Sequence, residues 1–238
     1  MTNTMPIKAK VMIGMVAVAS LGSLMFGVTN WHMPAWPQLA LLMIAAVLTS
    51  RLKVKLPGMT STMSGNLPVI LLGVTQLGFA GSLLVAVTAA IAQSIASATK
   101  IKPVQFLFNV CTLVNACALA FAVYHSRFLL ARGGAAVTMV AAAAAYFLAN
   151  TAPVAGIIGL TEAHNPVAIW HKVFLWSFPN YVIGAGLTAL ASLFSSVAGA
   201  ATLGTLTVVL FGIYKSYKVF AGQAEQQAPK VMAMAAGH

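Results

Sequence analysis

Apolar residues gather in runs along the chain, at about 11–29, 35–50, 67–80, 82–98, 103–124, 134–160, 179–195 and 198–214. A helix rising 1.5 Å per residue needs about 20 apolar residues to cross a hydrocarbon layer of about 30 Å, and most of these runs have near that length. Between them stand helix-start signals. Asn66 precedes Pro68, which fits a capping residue followed by a proline in the first helical turn. Pro103 follows Lys100-Ile101-Lys102, and Asn165-Pro166 opens the next helical stretch in the same way. The pattern predicts an all-α fold: a polytopic transmembrane helix bundle of about eight membrane segments. It forms one transmembrane helical domain over 1–220, with a polar, Ala-rich, flexible cytoplasmic tail over 221–238.

Two stretches break the rhythm. The stretch 67–98 reads either as one long helix or as a short or broken pair interrupted at Gly78–Ser82. The first member of such a pair, about 14 residues from 67, is too short to cross untilted, which leaves open whether 67–80 fully crosses. The stretch 166–178, PVAIWHKVFLWSF, carries Trp170, His171, Lys172 and Trp176. It reads as an interfacial helix at the cytoplasmic surface. Tyr214, Lys215, Tyr217 and Lys218 form an aromatic and basic belt at the end of the last run.

Composition hardens the membrane assignment. The 238 residues are 60% hydrophobic and 6% charged, against about 25% charged in soluble domains. A surface so poor in charge requires lipid as its solvent. The net charge of +11 comes from thirteen Lys and Arg against two acids, Glu162 and Glu225. These cations lie in short clusters between apolar runs and form no continuous face, so nucleic acid is not an expected partner. They act as topology signals instead. With 67–98 split in two, all of them except Arg127 and Arg132 fall on one side, together with both termini. With 67–98 as one segment they divide almost evenly. The excess of cations on the cytoplasmic side therefore favours eight crossings with both termini cytoplasmic. Lys8 and Lys10 followed by an apolar run imitate a signal peptide, but the run continues to Val28 and reads as a first membrane helix.

Candidate chemistry is sparse. Gln105, Asn109, Thr112 and Asn115 share an arc of about 120° on one helix. Either they line a polar groove, or they make interhelical hydrogen bonds worth about 0.6 kcal/mol each. Gln76, Gln93 and Asn150 admit the same two readings. The loop RLKVKLPGMTSTMSGNLP (51–68), leading into a short helix, looks like the entry to the broken helices of transporters or like a plain connector. Candidate ligand-binding residues are therefore Asn66, Gln76, Gln105, Asn109 and Asn115. No charged residue lies in the interior of a span, which counts against a proton pump, an ion-coupled carrier or a voltage sensor. Cys111 and Cys117, six residues apart, match neither a metal pattern nor a redox pair and read as packing residues. Glu162 with His164, then His171, read as loop residues at the membrane surface. No metal, cofactor or catalytic constellation is expected. Small residues at Gly184, Ala185, Gly186 and Ala189, and at 141–145, permit close helix packing and self-association.

Four stretches together suggest a family: LKVKLPGMTSTMSGNLPVILLGV (52–74), KPVQFLFNVCTLVNACALAFAVYH (102–125), WSFPNYVIGA (176–185) and IYKSYKVFAGQ (213–223). From about 35 to 225 the chain resembles the N-terminal multi-helix membrane sensory module of bacterial GGDEF and HD-GYP signalling proteins. The resemblance implies a bacterial inner-membrane sensor whose last helix runs into a cytoplasmic signalling helix at 215–227. The sequence ends at His238 without a GGDEF or HD-GYP domain, so no turnover of a cyclic dinucleotide is expected of it. No ligand-binding residue transfers from that family.

The first expectation is a stand-alone, non-catalytic sensory or accessory module binding a small ligand or a partner protein. The alternatives are a small-molecule transporter component resembling the S components of vitamin transporters, and a structural subunit of a larger membrane complex. Beyond the lipid bilayer, the partners are a membrane or cytoplasmic protein or a second copy of the chain.

Overall fold

The computed structural model describes residues 5–31, 36–50, 53–55, 62–64, 66–97 and 102–194. The run 198–214, the aromatic belt, the signalling helix and the tail lie outside the described residues. In chain order the elements are α1 (Ile7–Thr29), α2 (Trp36–Ser50), β1 (Lys53–Lys55), β2 (Thr62–Ser64), α3 (Leu67–Gln76), α4 (Phe79–Ser97), α5 (Pro103–Tyr124) and α6 (Arg127–Glu162). Then follow α7 (Pro166–Ile169), a π-helical turn (Trp170–Phe174), a 3-10 turn (Leu175–Ser177) and α8 (Phe178–Phe194). Among these, α1, α4, α5 and α6 are long and apolar enough to cross a membrane. α2 and α3 are apolar but shorter.

Contacts along the helices give their directions. The Asn115 amide of α5 donates to the Val16 carbonyl of α1 at 2.9 Å. Phe26, Phe79 and Phe121 stack edge to face in a row, with centroids 5.4 and 5.1 Å apart. The end of α1, the start of α4 and the end of α5 therefore share one face of the bundle, with α1 and α5 parallel and α4 opposed to both. α6 returns along α1, for a Cβ on Gly156 would meet Met12. The outward faces of α1 and α6, including Val11, Met15, Val18, Met25, Val137 and Val140, are exposed. Such continuous apolar cover is stable only against lipid or another apolar surface.

α6 is two helices in one. Gly134 has φ 66° and ψ −173°, a backbone region open essentially to glycine alone. The short piece from Arg127 lies before this break, and Arg132 stacks over Phe128 at 4.3 Å. Gly134→Ala is expected to cost about 1–3 kcal/mol, read as a lowered unfolding midpoint in detergent. An unchanged midpoint would show that the bend relaxes freely.

The segment 166–178, expected as an interfacial helix, runs on without a break into α8. Asn165 caps α7 as anticipated, accepting from the Val167 and Ala168 amides. From there the backbone stays helical through the π and 3-10 turns into α8, with Trp170, Phe174 and Phe178 all in the right-handed region. This rod lies antiparallel along α6. Pro166 abuts Gly159, the Trp170 indole donates to Thr151 Oγ1 at 2.9 Å, and Phe178 and Tyr181 pack on Phe147. From 166 to 194 it measures roughly 43 Å. Trp170, Phe178 and Tyr181 are thereby spent on the helix–helix seam with α6.

Candidate functional site

The break expected at Gly78–Ser82 is present. α3 ends at Gln76, Leu77 is extended (φ −108°, ψ 160°), and α4 starts at Phe79. The two helices fold back on each other, with Ser82 Oγ donating to the carbonyl of Gly73 at 2.9 Å. At ten residues, α3 is about 15 Å long, half a hydrocarbon layer. Every residue from 67 to 74 is buried, so this half-helix lies inside the bundle.

α2 meets it end to end. At one end, Gln38 donates to Gln76 Oε1 at 2.8 Å. At the other end three polar side chains close a knot. Thr49 Oγ1 donates to Asn66 Oδ1 at 2.9 Å, and the Asn66 amide donates to Ser50 Oγ at 2.9 Å. Ser50 Oγ also stands 3.2 Å from the Ala89 carbonyl of α4. Ala89 lies ten residues beyond Phe79, about 15 Å along α4. α2 and α3 thus both end at mid-depth of their neighbour. Between them the chain turns through an antiparallel ribbon pairing Lys53 with Ser64, Val54 with Met63 and Lys55 with Thr62. The connector in 51–68 therefore contains strand pairing, which the sequence pattern did not show. The start of α3 is tied to a third neighbour, since Thr188 Oγ1 of α8 lies 3.3 Å from the Pro68 carbonyl.

Asn66 holds the N-cap position, but its side chain makes no cap hydrogen bond. The reason is local. The second helical residue is Pro68, which has no N–H to offer, and the Thr49 and Ser50 hydroxyls lie across the junction instead. Gln76 is engaged with Gln38, and Asn115 with Val16. Gln105 and Asn109 are exposed near the start of α5. The arc on α5 therefore winds from an exposed face into the bundle, and the five candidates do not converge on one groove. Thr112 is 1% exposed and its hydroxyl has no partner. Asn150 donates to the Tyr181 hydroxyl at 3.2 Å.

Sequence reasoning missed Thr49, Ser50 and Gln38. The signal present was a Thr-Ser pair closing an apolar run directly before a basic loop. It also missed His125. Its Nε2 lies 3.0 Å from the Val74 carbonyl, in the last turn of α3. A carbonyl only accepts, so Nε2 carries the hydrogen and locks the α3 end to α5. His164 Nδ1 contacts the Glu162 carbonyl. Among the described residues no group of three His, Cys, Asp or Glu is placed to hold a metal. Among the described residues the junction offers hydroxyl, amide and carbonyl dipoles. That is the chemistry of binding and orienting, and it sits where α2 ends and α3 begins inside the bundle. The chain matches no known protein family, no curated protein and no solved structure.

Proposed function

We propose that the chain is a non-catalytic membrane module of sensory or accessory type, which binds a small ligand or a partner protein through its re-entrant α2–α3 unit. The observation that carries this reading is the pair of short helices, α2 and α3, meeting at a buried polar knot. Irregular backbone at membrane depth is tolerated only where protein covers it or a cavity needs it, and a plain scaffold gains nothing from it. The resemblance to the membrane modules of GGDEF and HD-GYP proteins points the same way. The short helices also favour a second reading, a substrate-capturing transporter component, because broken helices are a common way of building such sites.

The topology within this proposal is eight membrane segments in the bacterial inner membrane, with both termini cytoplasmic. α2 and α3 enter and leave the same face whether or not the ribbon reaches the opposite surface. The parity of the remaining helices is therefore untouched. Cysteines placed at positions 54 and 216 should be protected from an impermeant reagent in whole cells, while one at 129 should label. The opposite pattern overturns the topology. For function, the purified chain is screened by thermal shift against a metabolite panel. One tight ligand should raise the melting temperature through RT ln(1 + [L]/Kd). Co-purification of a stoichiometric partner supports the accessory reading. If neither a ligand nor a partner emerges, the proposal fails.

A further inference from the structure

We propose that the start of α5 is a docking site for one anionic phospholipid, held by Lys102, Gln105 and Asn109. Lys102 is the N-cap of α5, and the three residues stand within about 60° of arc on one helix face. Along the axis Gln105 lies about 5 Å and Asn109 about 10 Å beyond Lys102. All three are exposed. Among the described residues neither amide side chain has a hydrogen-bond partner. Elsewhere the amides of this bundle are engaged: Asn66 with Ser50, Asn115 with Val16 and Asn150 with Tyr181. An amide left facing hydrocarbon with nothing to bond is costly, so Gln105 and Asn109 call for an acceptor from outside the described chain.

Depth and charge name that acceptor. The polar layer on each side of the hydrocarbon is roughly 5–8 Å thick. A phosphate beside Lys102 therefore sets the ester carbonyls of the same lipid between Gln105 and Asn109, where both amides can donate to them. Charge complementarity agrees. Lys102 is a cation, and Lys100 stands two residues earlier in the sequence. A lysine side chain has no acceptor with which to cap the first N–H groups of α5, and Lys102 makes no cap bond. The sign of the helix end thus favours the same anion. Val104 and Leu107 are exposed on the adjoining faces and give acyl chains an apolar surface. A free phosphate would leave that surface bare and Asn109 unbonded. A second copy docked through this face would set Lys102 against Lys102. The site depends on α5 crossing the bilayer, and on neither the ligand nor the partner proposed above.

The test uses the purified full-length chain in lipid-free detergent, with dioleoylphosphatidylglycerol or dioleoylphosphatidylcholine added and adducts counted by native mass spectrometry. Phosphatidylglycerol should be retained as a single adduct, with an apparent affinity about fivefold or more above phosphatidylcholine. Lys102→Gln should bring the two lipids about level. Gln105→Leu combined with Asn109→Leu keeps the volume, removes both amides and should weaken both lipids by roughly fivefold to tenfold. Two controls separate a built site from general attraction. Lys10→Gln removes an exposed cation of α1 and should leave the preference unchanged. Thr112→Val alters the next polar position of the arc, which is buried beyond a lipid's reach, and should also leave it unchanged. Equal retention of the two lipids by the unmodified chain overturns the proposal, as does undiminished phosphatidylglycerol retention in the double leucine variant. Displacement of the adduct by inorganic phosphate at equal concentration assigns the site to a free anion and overturns it as well. A dimer that the leucine pair dissolves would assign the amides to a second copy. A lower melting temperature of that variant in lipid-free detergent would assign them to bonds within the chain. Either result overturns the lipid.

Discussion

Phe147→Ala is expected to destabilise the chain by about 3 kcal/mol, visible as a fall of roughly 10 °C in its melting temperature in detergent. The ring is 2% exposed and fills the centre of the seam between α6 and the rod that runs from α7 into α8. It meets Trp170, Phe178 and Tyr181 at centroid distances of 5.7, 5.2 and 4.8 Å. In lipid the separated helices lose little by exposing an apolar ring, so the cost comes mainly from dispersion contacts left unmade around the void. Phe147→Leu should recover much of the loss, because it restores volume though not the edge-to-face geometry. A change below about 0.5 kcal/mol would place Phe147→Ala among ordinary surface substitutions and show that the rod is not held by this seam.

Ala89→Leu is the second large effect. Ser50 of α2 reaches the backbone carbonyl of Ala89, so the two helices touch at this level with no large side chain between them. Ala46, Ala86, Ala89 and Ala90 are all buried around the contact. A leucine at 89 forces α2 away from α4. The expected cost is about 1–3 kcal/mol for overpacking, plus the Ser50 contact and part of the Asn66 knot. Both α2 and α3 lose their anchor together, so the unfolding transition should broaden as well as shift. Ala89→Gly, by contrast, should be mild in this respect, since it keeps the close approach. A leucine variant that melts like the unmodified chain would rule out the close α2–α4 contact.

Much of the fold was legible because membrane helices announce themselves through local chemistry. The apolar runs at 11–29, 82–98 and 103–124 correspond closely to α1, α4 and α5. Prolines at 68, 103 and 166 mark helix starts because their missing N–H costs nothing there. The break before Ser82 was readable from glycine and length. Less legible was the site. Asn66 was singled out as a candidate, but its partners Thr49 and Ser50 lie 17 and 16 residues away along the chain. Nothing in a helical period links positions across a loop of that length. Small hydroxyl residues closing an apolar run look alike whether they face water, lipid or a neighbouring helix. The packing of the rod at 166–194 was hard to read for a related reason. Trp170, His171, Lys172 and Trp176 have the composition of a surface helix, and only α6 alongside shows that Trp170 is turned to a Thr151 hydroxyl.

By itself the sequence determined the solvent, the helical class and the lopsided distribution of charge, because these depend on composition and on periodicity within a single segment. Tertiary structure decided that α2 and α3 meet at a polar junction inside the bundle, that Asn66 bonds across to α2 instead of capping its own helix, and that 166–178 runs on into α8 along α6. Each of these depends on which backbone carbonyl or hydroxyl another helix brings within about 3 Å, a distance that no pattern inside one helix encodes.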